Sequence, residues 1–151
     1  MAQEAPRALA QRLSDTRRLL ASEVDTWVAT ADANGVPHLV PLSFLWDGSV
    51  FTVSTPHDAP TARNLRANGR VRLSFGHTRD VVLVRGSATG RPAEDVDQAT
   101  ADALAEKTAF DPRRLQTRYD YFTIRPELVQ AWREVPELAG RTLMRGGEWL
   151  G

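Results

Sequence analysis

The stretch STPHDAPTARNLRANGRVR, residues 54–72, decides the fold that we expect for this chain. It follows a β-rich run, SVFTVS, and contains a short helical segment, TARNLRAN, that ends before the next run, VRLSF. Pro60 suits the first turn of a helix, because proline has no N–H group to leave unpaired there. Gly69 suits the left-handed position that ends a helix. The stretch therefore predicts a strand, a turn, a short helix and a second strand.

The start of this short helix is a candidate site for an anionic group, above all a phosphate. Helix N-termini attract anions, and the guanidinium groups of Arg63 and Arg66 can add charge-assisted hydrogen bonds. We expect Ala62, Leu65 and Ala67 to line one side of the helix while both arginines project elsewhere. An ordinary surface helix with solvated arginines is the alternative, and the stretch by itself leaves both interpretations open.

Hairpin signals lie on the N-terminal side of this stretch. Residues 32–35, DANG, and residues 47–48, DG, are typical of tight turns between antiparallel strands. The strand between them, residues 36–46, places Pro37 and Pro41 on the same face, which indicates an edge strand or a bulge. Because an edge strand leaves backbone groups without partners, this strand is also a good place for a cleft.

Short strands and tight turns predict a mainly β protein with flanking helices, arranged as an antiparallel barrel or sandwich. Residues 81–84, VVLV, are apolar throughout, so we expect one face of that strand to fill the barrel and the other to lie under a helix or a second subunit. Helical spacing is expected over residues 7–21 and 94–108, the latter with one apolar side formed by Val96, Ala99, Ala103 and Leu104. Towards the C-terminus we expect a helical turn at 111–112, a strand at 119–124, a turn at 125–127 and a final strand at 128–132.

A chain of 151 residues is long enough for one domain with a real core. We expect a single domain over residues 1–151. Residues 1–23 would form an N-terminal helix, 24–133 the barrel, and 134–151 a tail that docks on the barrel or on a partner.

Composition excludes several functions. The 19 basic and 19 acidic residues balance, which argues against nucleic-acid binding and against a basic membrane-surface protein. The absence of cysteine excludes disulfides and thiolate metal sites. The N-terminus lacks the apolar core of a signal peptide and no run is long enough to span a membrane, so we expect a cytoplasmic protein.

The histidines predict no metal site and no hydrolytic site. His38, His57 and His77 lack the spacing of metal ligands. Ser54, His57 and Asp58 are near neighbours, but three residues of one loop seldom reach the geometry of a catalytic triad. We therefore interpret His57 as an exposed loop residue.

The order of the segments VATADANGVPHLVPLSF, VFTVSTPHDAPTARNLRANGRVRLSF and DVVLVRGSA resembles the pyridoxamine 5′-phosphate oxidase-like family. More narrowly, it is similar to the actinobacterial flavin- and deazaflavin-dependent oxidoreductases. The resemblance covers about residues 27–132, and ARNLRANGRV is its most characteristic part. It implies a six- to seven-stranded antiparallel split β-barrel that forms a homodimer, with the cofactor in a cleft between the subunits.

The resemblance also implies a cofactor site. The ring system would lie along the second strand, and the partner subunit would contribute from around Arg79. Where Ala59 and Thr61 stand, related sequences often carry basic residues, so the choice between FMN and the deazaflavin coenzyme F-420 stays open. The implied residues are, for the ring, Pro41, Leu42 and Ser43, and for the phosphate Ser54, Thr55, Ala59, Pro60, Thr61, Arg63 and Asn64.

Two classes of function remain. The leading hypothesis is an oxidoreductase that transfers a hydride between the cofactor and a small conjugated molecule. Its catalytic residues are not identified, and Ser43 and Tyr121 are the candidate proton donors. The alternative is a non-catalytic split barrel that carries flavin, haem or another planar ligand. Oxidation of pyridoxamine phosphate is less favoured, because the chain is short and poor in the basic residues that a second phosphate needs.

Overall fold

The computed structural model describes residues 4–151, so residues 1–3 of the predicted N-terminal helical segment lie outside the described residues. Short 3-10 turns occur at Ala93–Asp95, Pro112–Arg114 and Val135–Glu137. The helices and strands, in chain order, are α1 (Leu9–Ser22), β1 (Asp25–Ala31), β2 (Pro37–Trp46), β3 (Phe51–Pro56), α2 (Pro60–Asn68), β4 (Arg70–His77), β5 (Asp80–Pro92), α3 (Gln98–Thr108), β6 (Tyr119–Arg133), β7 (Thr142–Arg145) and β8 (Glu148–Trp149).

The strands form an antiparallel barrel. The order β3-β2-β1-β4-β5-β6 closes on itself because β3 also pairs with β6, and β7 and β8 extend the sheet beyond β6. Ser54 on β3 lies opposite Tyr121 on β6 in this closing pair. The mainly β fold with a six-stranded barrel and flanking helices is therefore confirmed.

Helix α2 begins and ends as the sequence predicts. Pro60 occupies its first turn, and Gly69 ends it with a φ of 69° while its N–H donates to the carbonyl of Leu65 at 2.8 Å. A Cβ at Gly69 would lie 2.9 Å from the carbonyl oxygen of Ala88, which is too close. Glycine is therefore favoured here both because a side chain would clash and because φ is positive. The predicted buried side is wrong at Ala67, which is exposed, whereas Asn64 is buried.

The predicted turn at residues 125–127 is wrong, because β6 runs through it as one strand. The register with β5 shifts there: Arg85 lies opposite Leu128, and Gly86 lies opposite Pro126. Glu127 is thus the extra residue of a β-bulge. A bulge accommodates a proline that cannot complete the regular ladder, and the same residue type also suggests a turn when the sequence is considered alone.

The barrel interior is aromatic. Phe44, Phe51, Phe75 and Phe122 are all almost fully buried there. The C-terminal tail completes this core with Leu143 and Met144, so it docks on its own barrel.

The two faces of residues 81–84 are different. Val82 and Val84 are buried in the core, while Val81 and Leu83 are half-buried on the outer side of the barrel. The prediction that one face of this strand fills the barrel is therefore confirmed. That a helix or a second subunit covers the other face stays a prediction.

Helix α3 begins at Gln98, later than residue 94, because Ala93–Asp95 forms a separate 3-10 turn. Its buried residues are Ala101 and Leu104, while Ala99 of the predicted apolar side is exposed. Within residues 4–151, no helix is both long and apolar enough to span a membrane.

Candidate functional site

Most of strand β2 is paired on one side only. Residues 37–43 pair with β1 alone, and pairing with β3 begins at Phe44. The N–H of Phe44 donates to the carbonyl of Val24 at 2.9 Å. Because successive residues of an antiparallel strand direct their backbone groups to opposite sides, Ser43 and Pro41 direct theirs to the open side. Proline at position 41 therefore removes no ladder hydrogen bond, and the edge predicted from the prolines is confirmed for this half of the strand.

A cleft of about 320 Å³ lies beside this open edge, between β2, the end of β3 and the segment around α3. Four of the predicted site residues, Pro41, Leu42, Ser43 and Ser54, line it together. A mostly apolar wall with a few polar groups is typical of small-molecule sites. The other residues that line this cleft are Asp25, Pro56, Leu104, Thr108, Phe110 and Tyr119.

A second cavity, of about 430 Å³, adjoins the cleft. Asp25 and Pro41 line both spaces, so they form the ridge between them. Trp27, half exposed, and Ser74 line the second cavity on the outer face of β1 and β4. The cleft and the second cavity thus lie on either side of the open edge of β2.

Neither candidate proton donor is free to act in the cleft. The hydroxyl of Ser43 donates to Oδ1 of Asp25 at 2.8 Å. Tyr121 is buried under α3 against Ala101 and Leu104, and within residues 4–151 its hydroxyl has no hydrogen-bond partner. Burial raises the pKa of Tyr121, so its hydroxyl stays protonated near neutral pH.

Three of the predicted phosphate residues are buried. Thr55 and Thr61 are almost fully buried, and the side-chain amide of Asn64 donates to the hydroxyl of Thr30 at 3.1 Å. These side chains hold α2 and the end of β3 against the barrel. Thr61 therefore offers its backbone N–H, rather than an exposed hydroxyl, at the start of α2.

The N-terminus of α2 nevertheless fits an anionic group. No side chain caps it at Ala59, and the N–H groups of Thr61 and Ala62 have no acceptor within the helix. The exposed guanidinium of Arg63 lies at this end, where its Nη1 donates to the carbonyl of Asp58 at 2.8 Å. Two backbone N–H groups and one guanidinium can thus contact the same anion.

His57 lies in the loop before α2 as predicted, but it is half-buried rather than exposed. Its Nδ1 lies 2.6 Å from Oδ2 of Asp120, and Nη1 of Arg66 donates to the same oxygen at 2.8 Å. The sequence analysis did not identify Asp120, which lies at the start of β6, and no local motif marks it. This cluster ties α2 and the loop before it to β6, and it commits Arg66 to an internal ion pair. In residues 4–151, no three His, Asp, Glu or Cys side chains are grouped closely enough to hold a metal ion.

Arg79 does not line the cleft of its own chain. It lies in the turn between β4 and β5, and its Nη1 donates to Oε1 of Glu134 at 3.1 Å. It borders a separate cavity of about 290 Å³ together with Arg7 and Arg133. A contribution of Arg79 to a partner's cleft stays a prediction.

A split barrel with an open strand edge and an adjoining cleft defines the class of this protein. Residues 15–133 match the family model described as pyridoxamine 5′-phosphate oxidase. This match covers most of the chain, and the protein therefore belongs to the pyridoxamine 5′-phosphate oxidase family.

Solved structures share the fold at low sequence identity. An F420 reductase is 22% identical with a TM-score of 0.62, over 75% of this chain and 94% of that one. A haem-binding protein from Mycobacterium smegmatis is 18% identical with a TM-score of 0.71, over 97% of this chain and 60% of that one. A FAD-binding protein from Mesorhizobium loti is 20% identical with a TM-score of 0.60, over 78% of this chain and 89% of that one. No curated protein sequence matches this chain.

Proposed function

We propose that this protein is an oxidoreductase that binds FMN or the deazaflavin coenzyme F-420 in the cleft. It would transfer a hydride between that cofactor and a small conjugated molecule. The observation that carries the proposal is the position of Pro41, Leu42, Ser43 and Ser54 together in one cleft, beside unpaired backbone groups. The similarity to an F420 reductase and a FAD-binding protein supports a ligand of this kind.

The cleft suits a planar heterocycle. The open edge of β2 presents backbone N–H and C=O groups, which can pair with the donor and acceptor groups at the edge of a flavin-type ring. Apolar side chains such as Pro41, Leu42 and Leu104 provide the walls that exclude water. When bound, the cofactor supplies the hydride, and the protein supplies orientation and a dry environment. Neither Ser43 nor Tyr121 offers a free proton in the cleft, so the proton would come from solvent, from the substrate or from another hydroxyl that lines the cleft, such as that of Tyr119.

The phosphate of the cofactor would bind at the start of α2. The N–H groups of Thr61 and Ala62 and the guanidinium of Arg63 are the groups available there. The absence of basic side chains at Ala59 and Thr61 makes Arg63 the main cation of this site, because Arg66 is bonded to Asp120.

Replacement of Arg63 by alanine is expected to weaken FMN binding about 10- to 100-fold, because a hydrogen bond to a charged group contributes about 1.5–3 kcal/mol. Binding of riboflavin, which lacks the phosphate, should change little. Arg66→Ala is the matched control on the same helix: it removes the ion pair with Asp120 and should lower stability more than FMN affinity. Fluorescence titrations of both variants with both ligands measure these effects. Equal losses of FMN affinity in the two variants would remove the phosphate assignment.

We further propose that two copies of the chain associate through the outer face of β2, β1, β4 and β5, which are neighbours in that order. Trp27 and Leu39 are 50% and 60% exposed on this face, and Val81 and Leu83 lie on the same side of the barrel. Exposed apolar area of this kind is typical of a subunit interface. A second copy would cover the open edge of β2 and complete the cleft.

Leu39→Glu is expected to convert a dimer into a monomer, because it would bury a charge in the interface. Light scattering at micromolar concentration measures the mass. Leu150→Glu, at a residue that is 46% exposed and follows β8 at the other end of the sheet from β2, should leave the dimer intact. A monomeric wild-type protein would overturn the proposal.

The direct test of the oxidoreductase function combines binding with turnover. Purified protein is titrated separately with FMN and with coenzyme F-420, and the reduced complex is then mixed with conjugated acceptors while its absorbance is followed. Tight binding followed by oxidation that depends on the acceptor supports the proposal. Binding without acceptor-dependent oxidation would favour the second candidate function.

That second candidate is a non-catalytic carrier of flavin, haem or another planar ligand. The specific observation in its favour is that neither proton donor expected from the sequence is available, since Ser43 donates to Asp25 and Tyr121 is buried. The similarity to a haem-binding protein from Mycobacterium smegmatis is consistent with it. A titration with haem, followed by its visible absorption band, separates the two candidates.

A further inference from the structure

Helix α3 ends in an unfavourable backbone conformation. Ala109 is its C-terminal cap, with φ 57° and ψ 24°. This left-handed conformation is easily adopted by glycine and costs free energy for alanine. Within residues 4–151, only Ala109 and Glu134 have a positive φ without being glycine. Such strain persists where the surrounding structure requires it, often beside a ligand site.

The strained residue determines the position of Phe110, which follows it. The hydroxyl of Thr108 donates to the carbonyl of Leu104 at 2.7 Å and lies 3.3 Å from the carbonyl oxygen of Phe110, which holds the turn in place. Phe110 is 39% exposed, although it is a large apolar residue, and it lines the cleft. Its exposed ring is therefore held beside the cleft rather than buried in the core.

A second aromatic ring accompanies Phe110. The ring centroid of Tyr119 lies 5.8 Å from that of Phe110 with the planes tilted by 57°, and Tyr119 also lines the cleft. Tyr119 is the first residue of β6, opposite Pro56 on β3, so the barrel itself fixes its backbone. The two rings form one wall of the cleft, and the open edge of β2 forms another.

We propose that Phe110 and Tyr119 are the residues that select a flat aromatic ligand in this cleft, and that Ala109 pre-orients Phe110 for that contact. This inference rests on the proposed function, because it concerns the same cleft. It adds the residues that select the flat ring, and it assigns that selection to the segment between α3 and β6. Aromatic rings provide large apolar contact areas with favourable ring–ring geometry.

The test uses lumichrome, a bare three-ring compound without ribityl chain or phosphate, so that binding reports the ring contact alone. Phe110→Ala should weaken lumichrome binding about tenfold in a fluorescence titration. Phe110→Leu should lose less affinity, and Tyr119→Leu should resemble Phe110→Ala. Leu115→Ala is the matched control, because Leu115 is 46% exposed in the same segment but does not line the cleft.

Ala109→Gly provides a readout that a merely structural role would not give. Glycine relieves the backbone strain, so the midpoint of thermal unfolding should rise, while affinity for lumichrome should fall two- to fivefold because Phe110 is less restrained. If the midpoint of thermal unfolding and the affinity for lumichrome both rose, or if the affinity did not change, the proposed role of Ala109 would be overturned. Lumichrome binding that Phe110→Ala does not weaken would overturn this inference and leave the proposed function intact. If the wild-type protein bound neither lumichrome nor FMN, both would fail.

Discussion

Replacement of Glu137 by alanine is expected to lower the free energy of unfolding by about 3–5 kcal/mol at pH 7, because it breaks a buried charge network and leaves the other partners unpaired. Glu137 is 3% exposed. Its carboxylate accepts from the guanidinium of Arg7 at 2.7 and 2.9 Å and from the backbone N–H groups of Arg7 and Arg133 at 2.8 and 2.7 Å. Arg12, also buried, lies 4.0 Å away. Urea denaturation measures the loss.

The control for this prediction is Glu134→Ala. Glu134 pairs with Arg79 at the surface, where the two side chains are 52% and 81% exposed, so its loss should cost less than about 1 kcal/mol. Similar losses in the two variants would contradict the assignment of Glu137 as the centre of a buried network.

The same carboxylate should make the protein sensitive to acid. Hydrogen bonding to Arg7 lowers the pKa of Glu137 from 4.5 to about 2. A lowered pKa means that the folded state favours the ionised form, so the stabilisation is present above pH 4.5 and is lost as the pH falls through about 2. Its size is about 3 kcal/mol, since one pKa unit corresponds to about 1.4 kcal/mol. The free energy of unfolding should therefore fall more steeply between pH 5 and pH 2 for the wild type than for Glu137→Gln. Equal slopes for the two proteins would contradict the assignment.

Phe44→Ala should destabilise the barrel by about 3–5 kcal/mol, because removal of a buried phenyl ring leaves a cavity that the rigid barrel cannot fill. Phe44 is fully buried, with its ring centroid 4.9 Å from that of Phe75 and 6.0 Å from that of Phe51. Thermal or urea unfolding measures the effect. A cost below about 1.5 kcal/mol, the range of well-tolerated core substitutions, would mean that the aromatic core repacks.

Phe44 also contacts a cation, which provides an internal control. Nζ of Lys107 on α3 lies 3.9 Å from the centroid of the Phe44 ring, and burial lowers the pKa of this lysine. A partly desolvated cation over a ring contributes about 1–2 kcal/mol. A double-mutant cycle of Phe44→Leu and Lys107→Met should therefore show a coupling of about 1 kcal/mol, whereas Phe44→Leu with Val135→Ala, at a residue that is 71% exposed outside the core, should be nearly additive.

Local signals predicted those parts of the fold that depend on neighbouring residues. Pro60 and Gly69 mark the ends of α2, and both need only the conformation of their own backbone. Pro37 and Pro41 indicated the open half of β2, because a missing N–H group restricts pairing wherever the strand lies. The resemblance to a known family then indicated Pro41, Leu42, Ser43 and Ser54, which the structure brings into one cleft.

The interactions that local signals missed join distant residues. His57 and Asp120 are separated by 63 positions, and Arg7 and Glu137 by 130, so no spacing rule connects them. The position of Phe110 beside the cleft was also missed, because an isolated aromatic residue in a polar loop gives no indication of the cavity beside it. The continuity of β6 was missed because Pro126 occurs in turns and in bulges alike.

Closure of the barrel has a consequence for the order of folding. Strand β3 finds its second partner only in β6, where Phe51 lies opposite Ile124. A growing chain that has completed β1 to β5 therefore still has one unpaired edge on β3 and another on β5. Contacts between residues so far apart form slowly, since a long loop must close before they stabilise the chain. Until residue 124 has been synthesised, the nascent chain exposes two unpaired strand edges. Whether it folds or aggregates then depends on how quickly β6 pairs with both edges.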